Sequence, residues 1–93
     1  MNNKITKQKL EKYFKITETA LAKVKKNIAK GRETDAKEII EMAENYLSDA
    51  EFFEKKQDFV NAFAAINYAH GWIDSGVRLG VFDVQDRKLF TIK

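Results

Sequence analysis

The sequence predicts an all-α protein, an antiparallel up-down-up bundle of three helices with a short C-terminal tail packing back on it. Helix breakers are scarce, because the 93 residues contain no proline and only four glycines. Apolar residues make up 44% of the chain and recur every three or four residues over most of its length. The gaps between these stretches are very short, so successive helices must run antiparallel. We interpret residues 1–93 as one helical domain.

The first helix is expected to span about residues 6–30. Thr6 suits the N-cap, and Gly31 suits the left-handed residue that follows a helix. Its predicted buried stripe consists of Leu10, Tyr13, Phe14, Thr17, Leu21, Val24 and Ile28.

The second helix is expected over about residues 34–56. Asp35 and Glu38 have the spacing of a capping box, and Lys55 and Lys56 suit the negative end of a helix dipole. Its predicted core positions are Ala36, Ile39, Ile40, Ala43, Tyr46, Leu47, Ala50 and Phe53.

The third helix is expected over about residues 58–79, with Asp58 as its cap and Gly80 as its stop. It is apolar on nearly all sides, a pattern typical of helices that contact a second element. One side carries Phe59, Phe63, Ile66, His70, Ile73 and Val77. The side nearly opposite carries Tyr68, Trp72 and Leu79.

Two elements are candidates to cover the Trp72 side of this helix. The first is the tail, residues 81–93, which could fold back through Val81, Phe82, Val84, Leu89 and Phe90. The second is a protein partner or another copy of the chain, since exposed aromatic patches mark interfaces. The candidate interface residues are Tyr68, Trp72, Leu79 and Phe52.

A polar group follows one edge of the third helix at one-turn intervals: Asn67, His70, Asp74 and Arg78. Asp74 can orient the His70 imidazole and pair with Arg78, so this edge is a candidate ligand-binding or catalytic site. The alternative interpretation is a hydrogen-bonded structural histidine. Gly71 and Gly76, each costing about 1 kcal/mol relative to alanine in a helix interior, are expected to admit a closely packed neighbour.

Charge is unevenly distributed along the chain. Residues 1–33 contain ten Lys or Arg and three Asp or Glu, whereas residues 34–57 contain three and seven, which predicts a basic helix beside an acidic one. A lysine face on the first helix is an alternative site for weak RNA or DNA binding: Lys4, Lys12, Lys15, Lys23, Lys26 and Lys30. The absence of arginine from that face disfavours nucleic acid, as does the expectation that Tyr13 and Phe14 are buried.

Composition excludes several classes of chemistry. The absence of cysteine rules out disulfides, thiol catalysis and Cys-based zinc sites. One histidine without zinc spacing predicts no metal, and no motif predicts a cofactor. No signal peptide and no apolar run of about 20 residues is evident, so the expected location is the cytoplasm, without membrane contact.

The run at residues 58–82, DFVNAFAAINYAHGWIDSGVRLGVF, resembles the archaeal "domain of unknown function 357" family, and EMAENYLSDAEFFEKKQ resembles that family's second helix. The resemblance implies a small three-helix bundle of the immunoglobulin/albumin-binding type and no established activity. The family-like positions are Asn67, His70, Gly71, Trp72, Asp74, Gly76 and Arg78.

Residues 46–69 are also similar to the helical nuclease domains of toxin–antitoxin systems. Those nucleases place an arginine several residues before a histidine on one helix. Here no Arg or Lys lies between Lys56 and His70, and Arg78 follows the histidine. We therefore expect a non-enzymatic module that uses its third helix to bind a protein partner or a second copy.

Overall fold

A computed structural model describes residues 5–85. It contains three helices, α1 (Lys7–Lys25), α2 (Glu33–Lys55) and α3 (Phe59–Arg78). The stacking of Tyr46 on Tyr68 and the proximity of Ile39 to Gly76 show that α2 and α3 run antiparallel. The predicted all-α three-helix bundle is confirmed. No helix within residues 5–85 combines the length and the apolar character needed to cross a membrane.

The helix starts were predicted correctly at two of the three positions. The Thr6 hydroxyl accepts a hydrogen bond from the Lys9 amide at 3.1 Å, and the Asp58 carboxylate accepts one from the Asn61 amide at 3.2 Å. Both are N-caps.

The predicted capping box of Asp35 and Glu38 is wrong. α2 begins at Glu33, and its N-cap, Arg32, makes no side-chain cap hydrogen bond. Asp35 instead lies inside the first turn and accepts a hydrogen bond from Arg32 Nε at 3.2 Å. Glu33 and Asp35, both in this first turn, complement the positive end of the helix dipole.

α1 ends at Lys25, not at Lys30 as predicted, because the backbone beyond it pairs with the tail. The Ala29 amide donates to the Val81 carbonyl at 2.9 Å, and the Asp83 amide donates to the Asn27 carbonyl at 2.7 Å. Ile28, predicted to be buried in α1, pairs with Phe82 in an isolated bridge and is 37% exposed.

α2 and α3 both end with the same backbone motif, in which the residue after the C-cap is left-handed. Gln57 and Gly80 both have positive φ, 59° and 78°. At the end of α3, Gly80 N donates to Val77 O at 3.2 Å and Val81 N donates to Gly76 O at 2.8 Å. These paired bonds form a Schellman motif, so the predicted stop at Gly80 is confirmed. Gln57 occupies the equivalent position after α2.

α3 is the central element of the bundle. It packs closely along α2 and less extensively on α1, while α1 and α2 barely touch. Many of the buried side chains on these two helices are small, which lets packed helices approach closely. They are Ala36, Ala43 and Ala50 on α2 and Ala62, Ala65, Ala69 and Gly76 on α3.

The buried face of α3 is rotated from its predicted position. Ile66 and Ile73 are buried as expected, but Phe59, Phe63 and Val77 are only partly buried. The prediction gave weight to large side chains, whereas four of the six buried residues of α3 are alanine or glycine. The predicted core of α2 is confirmed at Ala36, Ile39, Ala43, Leu47 and Ala50, whereas Ile40, Tyr46 and Phe53 are only partly buried.

The described part of the tail packs back on the bundle. Val81 and Phe82 are each 2% exposed, and Val84 is 7% exposed. Phe82 lies over Gly76, beside Ile39. The tail therefore completes the core at the end of α3, whereas Leu89 and Phe90 lie outside the described residues.

Candidate functional site

A cleft of about 420 Å³ opens between α1 and α3. Its lining residues are Tyr13, Ile16, Thr17, Ile66, Asn67, His70, Gly71 and Asp74. Three of the four polar residues predicted to form a site on α3 are thus brought together. The fourth, Arg78, is exposed in the last turn of α3 and is not part of the lining.

A buried hydroxyl positions the His70 ring. Thr17 Oγ1 lies 3.0 Å from His70 Nδ1, and Thr17 is only 2% exposed. Which atom donates depends on the imidazole tautomer. This bond links α1 to α3 and supports a structural role for the histidine. Sequence reasoning placed Thr17 in the core, but not as a partner of His70.

Asp74 lies on the other side of the imidazole. Its Oδ1 is 3.6 Å from His70 Nε2, which exceeds the length of a direct hydrogen bond. The order Thr17–His70–Asp74 resembles a nucleophile, base and carboxylate in series. Because Thr17 is almost fully buried, its hydroxyl is poorly accessible to a substrate. The arrangement is better suited to holding His70 in one orientation than to covalent catalysis.

Tyr13 was predicted to be buried, and this is wrong. It is 37% exposed and packs edge-on against Phe63, with ring centroids 5.3 Å apart. Its ring therefore forms part of the cleft wall. Together with Ile16 it is a site residue that sequence reasoning missed, because the α1 contribution depends on how two helices pack.

Next to the cleft lies an aromatic surface, which we define as Tyr46 of α2 together with Tyr68 and Trp72 of α3. The Tyr46 and Tyr68 rings stack with centroids 5.3 Å apart and an interplanar angle of 28°. Trp72 is partly buried and packs against the core. Tyr68 is 62% exposed, and Leu79, one of the other predicted interface residues, is 68% exposed. The described tail thus leaves Tyr68 and Leu79 uncovered.

Phe52 lies apart from the aromatic surface. Helix geometry places it about 9 Å along α2 from Tyr46 and about 120° around the helix axis. Its ring contacts Phe53 edge-on, with centroids 5.6 Å apart, and Lys56 Nζ lies 5.6 Å from its centroid. The structure therefore does not join Phe52 to the other predicted interface residues.

Gly71 lies between the cleft and the aromatic surface. Apart from Gly71 itself, its two chain neighbours and the adjacent backbone of α3, no described heavy atom lies within 4 Å of the position that a Cβ on Gly71 would occupy. At Gly76, by contrast, a Cβ would lie 2.5 Å from Phe82 Cε2. The expectation that these glycines admit a close neighbour is thus met at Gly76 by the chain's own tail.

The predicted lysine face is shorter than expected. Lys4 lies outside the described residues, Lys26 is the C-cap of α1 and Lys30 lies in the connection to α2. Lys15 lines a groove whose other residues are Glu11, Phe14, Glu18, Glu51 and Glu54. A phosphate backbone following this face would meet carboxylates.

The predicted pairing of a basic with an acidic helix includes the ion pair of Lys25 Nζ with Glu44 Oε2. Both side chains are about half exposed, so solvent screens the pair and its contribution to stability is small.

A family model described as "Protein of unknown function (DUF357)" matches residues 12–82. The chain belongs to this family. The match covers most of α1, all of α2 and α3, and the tail as far as Phe82. It includes every residue of the cleft and of the aromatic surface, and it assigns no activity to the DUF357 family. No curated protein and no solved structure matches the chain significantly.

Proposed function

We propose that this DUF357 protein is a non-enzymatic, cytoplasmic interaction module that binds a protein partner along the exposed face of α3. The observation that carries the proposal is the exposed position of Gly71 in the interior of α3. A solvent-exposed glycine in the interior of a helix costs about 1 kcal/mol relative to alanine, and no described contact uses the space it leaves. Close approach by the backbone of another molecule would use it.

The residues beside Gly71 are of the kind that dominate binding energy at interfaces. Tyr and Trp are enriched among interface hot spots, and Tyr68 and Trp72 flank this stretch of α3. The stacking of Tyr68 on Tyr46 restricts the Tyr68 ring before any partner arrives, which lowers the entropic cost of binding. Leu79, the C-cap of α3, adds exposed apolar area at the C-terminal end of the helix.

The two alternative functions receive less support. Nucleic-acid binding along α1 is opposed by the glutamates around Lys15. Catalysis at the cleft is opposed by the burial of the Thr17 hydroxyl. A protein partner, including a second copy of the chain, is compatible with both observations.

The test is to compare Gly71→Arg with Ser48→Arg, which adds the same side chain at an exposed position on α2. Tagged wild-type protein and both variants would be used to capture partners from nuclease-treated lysate of the native host. Sedimentation equilibrium of the purified proteins would measure self-association. We expect Gly71→Arg to lose the partner or the dimer and Ser48→Arg to keep it.

Circular dichroism would establish that both variants keep wild-type helix content. A partner retained equally by both variants would exclude the exposed face of α3 as the binding surface. A monomeric wild type that captures no protein in a nuclease-treated lysate would argue against an interaction module.

A further inference from the structure

The cleft between α1 and α3 has an apolar wall and a polar wall. Ile16, the buried Ile66 and the ring of Tyr13 form the apolar wall, and Asn67, His70 and Asp74 form the polar wall. Small-molecule sites combine such apolar area with a few convergent polar groups. The volume of about 420 Å³ falls within the range of such sites and has room for a single ring.

The charge of the lining selects the kind of ligand. Asp74 is its one acidic residue, and no Lys or Arg is included. Lys9, whose Nζ lies 5.9 Å from the ring centroids of Tyr13 and Phe63, is outside the lining. A phosphate or carboxylate would meet a carboxylate and no Lys or Arg, whereas a cation or a hydrogen-bond donor would be stabilised.

The polar wall is held in place before any ligand binds. Thr17 Oγ1 fixes the His70 ring, and His70 and Asp74 are one turn apart on α3, with about three-quarters of each side chain buried. A preorganised wall of this kind lowers the entropic cost of binding. Gly71 leaves the cleft mouth open next to these groups, because it has no side chain.

We propose that this cleft binds a small aromatic or heteroaromatic cation. The ring packs against Ile16, Ile66 and Tyr13, and the positive group faces Asp74, with Asn67 and His70 available for further hydrogen bonds. The cleft adjoins the protein-binding face proposed above and shares Gly71 with it, but its ligand would contact Tyr13, Ile16 and Asp74, whereas a protein partner would contact Tyr68 and Trp72.

The experiment uses three probes of nearly equal shape and different charge: benzamidine as the cation, benzamide as the neutral compound and benzoate as the anion. Each is titrated at millimolar concentration into the ¹⁵N-labelled full chain, and amide chemical shifts are followed by NMR. We expect benzamidine to shift the amides of the cleft residues and to bind about tenfold more tightly than benzoate, with benzamide between them.

Two variants keep the proposal open to refutation. Asp74→Asn should remove the preference for benzamidine over benzamide, whereas Asp49→Asn, which removes the same charge at an exposed position on α2, should retain it. The amide spectrum of each variant reports whether the fold is intact. Equal binding of the three probes, shifts outside the cleft, no shifts at millimolar concentration, or a preference that survives Asp74→Asn would each overturn the proposal.

Discussion

The two glycines inside α3 have opposite surroundings. Gly76 is buried, and Phe82 of the tail occupies the space where a Cβ would be. Gly71 is exposed, and no other part of the described chain approaches the equivalent space. Both residues weaken the helix by a similar amount. At Gly76 the contact with Phe82 offsets that cost, whereas at Gly71 no described contact does.

This difference divides α3 into two functional regions. The C-terminal region is part of the core and is completed by the chain's own tail. The middle region, around Gly71, forms one wall of the cleft and one edge of the aromatic surface. Local irregularities that internal packing does not explain tend to occur at functional sites, which is why we place both proposed activities in the middle region.

The largest effect is expected for Phe82→Ala. Removing a side chain that is 2% exposed leaves a cavity above Gly76, and such substitutions cost about 3–5 kcal/mol. The free energy of unfolding would be measured by urea denaturation with circular dichroism. Leu79→Ala, at a residue 68% exposed, is the matched control and should change stability by less than about 0.5 kcal/mol. A loss below about 1 kcal/mol for Phe82→Ala would mean that the tail is not part of the core.

The next effect in size is expected for Gly76→Ala. The added methyl would overlap Phe82 Cε2 at 2.5 Å and approach Ile39 Cδ1 at 3.0 Å, so we expect a loss of about 1–3 kcal/mol despite the better helix propensity of alanine. Urea denaturation would again report the change.

A double-mutant cycle isolates the contact between the two residues. Gly76→Ala should cost less in a Phe82→Leu background than in the wild type, because leucine lacks the ring atoms that overlap the methyl. Equal costs in both backgrounds would show that Phe82 is not the reason for the glycine.

Much of the fold could be predicted from the sequence because its signals are local. Thr6 and Asp58 cap their helices by accepting a hydrogen bond from the amide three residues further along the chain. Gly80 ends the helix that precedes it. The end of α1 could not be predicted this way, because Asn27 and Ala29 bond to tail residues far along the chain. The buried face of α3 was misplaced because hydrophobic periodicity gives little weight to alanine and glycine.

The candidate site could be predicted only in part, for the same reason. His70 and Asp74 are one turn apart on a single helix, so their proximity follows from helix geometry. The contact of Thr17 with His70 joins α1 to α3, and it depends on how these helices are aligned. The Tyr13 wall of the cleft depends on the same alignment, which the periodicity of each helix does not specify.

A smaller effect of opposite sign is expected for Gly71→Ala. Because the new methyl would contact only the adjacent part of α3 itself, alanine should stabilise the protein by about 0.5–1 kcal/mol. The melting temperature should rise by about 4 °C. At the same time, a partner that packs closely against Gly71 should bind less tightly. Destabilisation by Gly71→Ala would mean that the glycine has an internal role, and the contrast with Gly76 would disappear.

The smallest effect on stability is expected for Leu79→Ser, which we predict to leave the free energy of unfolding within about 0.5 kcal/mol of the wild type. Trp72→Ala is a poorer probe of the same region, because Trp72 packs against the core and its removal would lower stability and binding together. Leu79 is 68% exposed. Its substitution by serine keeps the backbone carbonyl that accepts a hydrogen bond from Arg32 Nη1. If α3 is a docking surface that extends to its C-terminal end, Leu79→Ser should weaken partner capture or self-association at unchanged stability. Unchanged association would confine the surface to Gly71 and the aromatic surface, and a loss of stability above about 1 kcal/mol would mean that Leu79 is covered within the chain itself.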